Sequence, residues 1–315
     1  MTYLSSKPER AEYRSVAERL AAGKALRQKV KRSEHGLYEP PANRKDPIAI
    51  LEAQNKTRLP ELVPLRYARM LTSPFAFLRG AAAVMIQDIA AAATTGIAVQ
   101  ACGDMHLSNF GVFASAERNL IFAINDFDET YPGAWEWDLK RLVASAVVAG
   151  RFLGADRTIC ETAVRAIVQS YRQHLYEYAE MGYLELWYVN IAETELLQKL
   201  PDASKKKATQ LLTKARHSSH LQVLDKMTEL VDQQHHIIEA PPLVVRVETT
   251  PEGQPIIPAF EPLLQGYFSS LSADRRFLVS RYGILDIARI VVGVGSVGTR
   301  CWVIYLEGKD RDDPL

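Results

Sequence analysis

Apolar and polar positions along this chain fall into a helical pattern that is interrupted twice by short strand-like runs. Asp46 to Gln54 predicts a short helix with a Pro near its start, and Pro60 and Pro64 follow it. Ser73-Pro74 is a helix opener, with Ser as N-cap and Pro at the first helical position. Phe75 to Ala92 continues as helix by composition and spacing, up to the punctuation at Gly96. The pattern then changes to short apolar runs of strand type at Ile97–Cys102, Phe110–Phe113 and Leu120–Ile124. Helical patterns return at Trp137–Gly150, Thr158–Glu180, Leu184–Leu200 and Ser204–Asp232. Leu243–Val247 predicts a strand, and Ile284–Ile290 a short helix or the entry to a strand. Ile290–Leu306 reads as strand, glycine turn, strand. There is no internal repeat.

These elements predict an α+β protein in three parts. Residues 1–45 are polar and locally basic (Lys24, Arg27, Lys29, Lys31, Arg32) and end at Pro40-Pro41, as a solvated helical arm does. Residues 46–240 form a mostly helical lobe. Pro241-Pro242 marks a boundary, after which residues 241–315 form a β-rich part.

Composition narrows the class. Of the 315 residues 47% are hydrophobic and 24% charged, which excludes disordered, collagen-like and disulfide-scaffold chains. Lys plus Arg is 38 against 37 for Asp plus Glu, so no global field draws the protein to nucleic acid or anionic lipid, and neither is expected as a partner. The apolar stretch Ala81–Val99 is broken by Gln87, Asp88 and Thr94-Thr95-Gly96, too polar for a membrane span. The N-terminus lacks an apolar signal core, and the three cysteines Cys102, Cys160 and Cys301 form no Cys-x-x-Cys pair. A reducing cytoplasm is the expected location.

The candidate chemistry lies between the strands. Asp104 and Asn109, in Gly103-Asp104-Met105-His106-Leu107-Ser108-Asn109, have the Asp-x-x-x-x-Asn spacing of a phosphotransferase catalytic loop, and Asn125-Asp126-Phe127-Asp128 follows. In such a loop the Asp accepts the proton of the attacking hydroxyl, while the Asn and the later Asp hold magnesium that neutralises nucleotide phosphates. Phosphoryl transfer needs that charge neutralised and its nucleophile held in line, and hard oxygen ligands suit magnesium. Asp104 is therefore the candidate base, and Asn109 and Asp126 the candidate magnesium ligands. His106 and Asp128 support them, His106 as a loop brace bonded to backbone.

A second motif is Gly293-Val294-Gly295-Ser296-Val297-Gly298. The β-branched and aromatic run Thr299–Leu306 follows it, so strand rather than helix comes next. A cover for nucleotide phosphates, built from Gly293, Gly295, Ser296 and Gly298, competes here with a plain glycine hairpin and with a dinucleotide-binding turn.

The Gly-Asp-x-His-x-x-Asn and Asp-Phe-Asp motifs resemble the aminoglycoside and choline kinase branch of the protein-kinase-like fold, with Cys102 where those kinases often have His. That resemblance implies ATP and magnesium as cofactors, a small-molecule acceptor, and an acidic residue after the metal loop that braces the catalytic loop. Asp138 is that candidate, as N-cap or as loop anchor. The glycine motif follows the catalytic loop instead of preceding it, which implies a circularly permuted kinase-like fold. Taken together, Ser73–Gly80, Cys102–Gly111, Asn125–Thr130, Trp135–Arg141 and Val292–Arg300 resemble the bacterial domain of unknown function 2252, from about Asp46 to the C-terminus. Members continue into a strand bearing a phosphate-binding Lys. This chain ends at Asp312-Asp313-Pro314-Leu315 without it, and Lys309 is a poor substitute. The expectation is a C-terminally truncated chain with an incomplete nucleotide-binding β lobe, an exposed sheet edge or mobile terminus, and impaired activity.

Other readings stand beside this one. A nucleotide-binding or regulatory module that does not catalyse would also explain the missing Lys. His106 with Asp104, Asp126 and Asp128 could form a metal-dependent hydrolase centre, although His235-His236 offers no carboxylate partner pattern. Cys102 with His106 could form a thiol nucleophile pair, but Cys102 ends an apolar strand and reads as buried and inert. Arg66, Arg69 and Arg79 read singly as surface or ion-pairing residues, and together as a phosphate or acceptor patch. Tyr183, Trp187 and Tyr188 have core spacing on a helix. Asp104, Asn109 and Asp126 could each be a turn-forming residue between strands.

Overall fold

The computed structural model describes residues 14–217 and 220–315, and the first part of the basic arm (1–13) lies outside them. Helix accounts for 51% and strand for 17% of the chain, and every strand pair is antiparallel, so the α+β class holds. No described helix is long and apolar enough to cross a membrane.

The arm contains helix α1 (Val16–Lys29), opened by a reciprocal cap in which Ser15 and Glu18 satisfy each other's N–H groups. It buries none of its residues, as its polar sequence requires. Four short helices follow: α2 (Pro47–Asn55), α3 (Val63–Met70), α4 (Pro74–Gly80) and α5 (Ala82–Ala90). Asp46 caps α2 and Ser73 caps α4, each with Pro at the first position. The single helix expected from Phe75 to Ala92 is two, with the break at Ala81. Leu51, Met70 and Ala81 are the buried centre of this group, with Tyr67, Phe77 and Val84 packed around them.

Next come β1 (Ala98–Ala101), β2 (Phe110–Ala114), β3 (Leu120–Ile124) and β4 (Tyr131–Ala134), then the long helices α6 (Trp135–Phe152) and α7 (Arg157–Glu180) packed on each other. Strands β2 and β3 form a hairpin with Phe110 opposite Ile124, while β1 pairs with β4.

Two expected helices are broken. Leu184–Leu200 divides into α8 (Tyr183–Trp187), β5 (Ile191–Ala192) and α9 (Glu193–Lys199), because β5 pairs with β3. That diversion leaves Tyr183, Trp187 and Tyr188 at 89%, 82% and 70% exposure, so they are surface residues and not core. Ser204–Asp232 divides into α10 (Asp202–His217), α11 (His220–Met227) and β6 (Thr228–Val231), which pairs with β7 (Gln234–Ile237). The two turn residues, Asp232 and Gln233, both have positive φ. A tight hairpin requires this, but Asp-Gln does not advertise it as Asn-Gly would.

The last part contains β8 (Val244–Arg246), α12 (Ile256–Ser270), α13 (Ala273–Val279), β9 (Gly283–Ile290) and β10 (Cys301–Glu307). The segment 284–290, left open between helix and strand, is strand, and β9 lies between β8 and β10. The glycine hairpin is therefore not unaccompanied. Leu306 and Leu315 also exchange both backbone hydrogen bonds, which covers the far end of β10. Among the described residues β10 remains an edge from Cys301 to Tyr305. Leu224 and Ile237 join Ala288 and Tyr305 in one buried cluster, so this packing unit begins ahead of Pro241-Pro242.

The chain exposes 22198 Å², whereas a compact monomer of 35.3 kDa exposes about 13,000 Å². Its cores are correspondingly small, and the β9–β10 turn ties them together. Val294, at that turn, packs against the Leu51–Met70–Ala81 group.

Candidate functional site

The motif between β1 and β2 is held by one face of α6. Asp138 accepts the N–H of Cys102 at 2.6 Å and of Gly103 at 3.1 Å. It is thus a loop anchor, and the N-cap position belongs to Ala134. One turn on, Arg141 donates to Asp104 Oδ1 from Nε at 2.5 Å and also from Nη2, and reaches the Leu78 carbonyl at 2.9 Å. One turn further, Ser145 Oγ accepts the N–H of Leu107 at 3.2 Å. Positions 138, 141 and 145 share a helix face, so a single stripe of α6 fixes the loop at three points. Gly103 permits the bend: its φ is +87°, and a Cβ there would collide with the Glu129 carbonyl.

Asp104 is buried, with Oδ2 3.7 Å from Nε2 of the equally buried His106. Burial lowers the His106 pKa below its usual value, the Asp104 charge opposes this, and Arg141 and Arg79 add to the lowering. His106 packs edge-on to Phe75, and its Nδ1 has no hydrogen-bond partner.

Asn109 is also buried. Its Nδ2 donates to the Asp104 carbonyl at 2.7 Å, and its own carbonyl accepts the N–H of Asn125 at 3.0 Å. The β2–β3 register thus continues to Asn109 and Asn125, and Asp126 leaves the base of the same hairpin. Asp126 and Asp128 are exposed, and the Asp126 carbonyl faces Cys102 Sγ at 3.4 Å. Burial raises the Glu129 carboxyl, with the charges of Asp104, Asp126 and Asp128 adding to it. Asn109 Oδ1 and the Asp126 carboxylate are two hard oxygen donors. That set fits magnesium, which takes one or two such ligands beside water and substrate phosphates. Among the described residues no three His, Cys, Asp or Glu are arranged to hold a metal ion. His235 and His236 are occupied elsewhere. His235 meets Thr228, and His236 meets Arg246 and, contrary to expectation, a carboxylate, Asp286 at 3.7 Å.

The glycine turn joins two strands, so it is not a dinucleotide-binding turn. Three of its carbonyls are taken: Gly293 by Arg69 at 2.6 Å, Val297 by Arg58 at 2.5 Å, Gly298 by the N–H of Leu59 at 2.8 Å. Ser296 Oγ donates to the Val292 carbonyl. The N–H groups of residues 293–298 make no hydrogen bond among the described residues. Arg66 is fully buried and bonded to Asn55, Gln54 and the Gly80 carbonyl, so it is neither a surface nor an ion-pairing arginine.

Sequence reasoning assigned no role to Arg141, Ser145 or Arg58. The first two had a signal, their spacing from Asp138 along one helix. Arg58 had none, because its contact lies 239 residues away. A separate cavity of about 280 Å³ lies beside His35, Tyr38, Asp88 and Lys140 and contains none of the motif carboxylates.

The model of the DUF2252 family, described as uncharacterized protein conserved in bacteria, matches residues 58–315. That span contains all of these motifs. No curated protein and no solved structure matches the chain.

Proposed function

This chain belongs to the DUF2252 family, and from that premise, which names no reaction, we propose a kinase-like phosphotransferase that uses magnesium and ATP on a small hydroxyl or amine acceptor. One observation carries the reading: Asn109 is bonded both to the Asp104 loop and to Asn125, so the candidate base and the two candidate magnesium ligands leave one hairpin base together. Asp104 Oδ2 takes the acceptor's proton, since Oδ1 is committed to Arg141. The acceptor oxygen or nitrogen bonds the γ-phosphorus as the bond to the bridging oxygen of the nucleotide breaks. Asn109 and Asp126 would hold magnesium, which would neutralise phosphate charge there. Gly293, Gly295, Ser296 and Gly298 border the phosphates, and His106, Asp128 and Asp138 support the loops. A permuted kinase-like fold is the architecture this reading requires.

Titration calorimetry with magnesium and a non-hydrolysable ATP analogue tests it, followed by phosphate transfer from labelled ATP to an acceptor panel. The expected result is binding, with transfer that Asp104→Asn abolishes. Absence of nucleotide binding with magnesium present overturns it.

The Asp104–Arg141 pair favours a second reading, a nucleotide-binding module that does not catalyse, because a base bound this closely is turned toward structure. Binding of the analogue without transfer to any acceptor selects that reading.

A further inference from the structure

We propose that Arg58 and Arg79 are the phosphate-binding cations of this protein, gripping a polyphosphate anion between the glycine turn and the acidic loops. The inference rests on the nucleotide-binding reading above.

Charge is the first argument. Residues 56–80 contain five cations, Lys56, Arg58, Arg66, Arg69 and Arg79, against one anion, Glu61. Glu61 is already paired with Arg289 at 3.2 Å. Arg66 is sealed in the interior, while Arg69 and Arg58 each donate through Nη1 to a carbonyl of the turn, Arg69 to Gly293 and Arg58 to Val297. Arg58 and Arg79 meet no carboxylate at ion-pair distance among the described residues.

Placement is the second. Both arginines border the glycine turn: a Cβ on Gly298 would lie 3.1 Å from the Arg58 side chain, and one on Gly295 would lie 3.3 Å from the Arg79 carbonyl. Leu78, next to Arg79, gives its carbonyl to Arg141, which holds Asp104. The Arg79 segment therefore lies against both the glycine turn and the Asp104 loop.

Unmet bonding is the third. Arg79 Nε is buried without a hydrogen-bond partner, and the turn's own N–H groups from 293 to 298 are unbonded among the described residues. A buried donor left unmade costs free energy, and a phosphate oxygen would satisfy Arg79 Nε. A guanidinium fork suits phosphate geometry, and successive N–H groups of a turn form an anion-binding concavity. Burial, then the neighbouring Arg66, pull the Arg58 guanidinium down to about 10, so it is still a cation at neutral pH.

The test is titration calorimetry on the whole chain with inorganic triphosphate and with magnesium ATP, in parallel on Arg79→Gln, Arg58→Gln and Arg157→Gln, the last a control on the exposed face of α7. Melting curves accompany each variant. Arg79→Gln removes no hydrogen bond, so it keeps the test valid if Arg58→Gln does not fold. The expected result is at least tenfold weaker binding of both ligands for Arg79→Gln and for any folded Arg58→Gln, with the control unchanged. Wild-type binding retained within twofold by a folded Arg79→Gln overturns this inference and leaves the phosphotransferase reading intact. No binding of either ligand by the wild type overturns both.

Discussion

Arg141 grips one oxygen of Asp104 with two of its nitrogens, and the two side chains are almost closed to solvent. The candidate base is thereby oriented, with only Oδ2 turned toward His106. Removing the cation would leave a buried carboxylate unpaired. Arg141→Met is expected to cost about 3 kcal/mol of stability in urea denaturation. Adding Asp104→Asn to Arg141→Met should restore a large share of the loss. A double variant as unstable as the sum of the singles would show that the pair is not coupled.

Gly103 sits where the loop turns away from β1. Gly103→Ala adds a methyl group against the Glu129 carbonyl at a φ of +87°. The expected cost is about 2 kcal/mol or more, read as a lowered melting temperature. Gly154→Ala has a similar φ of +83° but open space around it, so its cost should be only about 1 kcal/mol. Equal losses at the two sites would contradict the crowding at Gly103.

His106 makes stability depend on pH. Its imidazole is depressed below the usual 6.5 by burial first. The unfolded chain then binds the proton more readily than the folded one. The contribution is whole above 6.5 and is lost as pH falls through the lower folded value. Melting temperature should therefore decline on acidification below pH 6.5, and His106→Gln should flatten that decline. A wild type and variant with parallel profiles would sink the assignment.

The thiol of Cys102 is pushed up to about 11, by burial first and then by the Asp138 charge. Cys160 is buried as well, whereas Cys301 is partly open. Iodoacetamide at pH 8 should modify Cys301 in the native protein and reach Cys102 and Cys160 only after denaturant is added. Native labelling of Cys102 at the rate of Cys301 would revive a thiol nucleophile at His106.

Much of the loop arrangement was legible because it is local. Asp104, Asn109 and Asp126 are set by spacing and by a short hairpin, and Ser73-Pro74 and Asp46-Pro47 announced their helices through capping alone. Failures came where distant strands competed with helical periodicity. β5 diverted the 184–200 helix to pair with β3, and β6 with β7 ended the 204–232 helix. The aromatic spacing of Tyr183, Trp187 and Tyr188 was real, but burial needs an opposing surface, and none of the described elements covers these rings.

The sequence by itself determined the α+β class, the family motifs and the strand-turn-strand form of the glycine segment, because propensity, capping and short spacings act within a few residues. Only the tertiary structure decided that Arg141 closes on Asp104 from 37 residues away and that Arg66 is sealed inside. It also decided that Arg58 and Arg79 stand beside a turn more than two hundred residues further on. A charged side chain's partner is chosen by how helices and hairpins dock, and that choice leaves no period in the sequence.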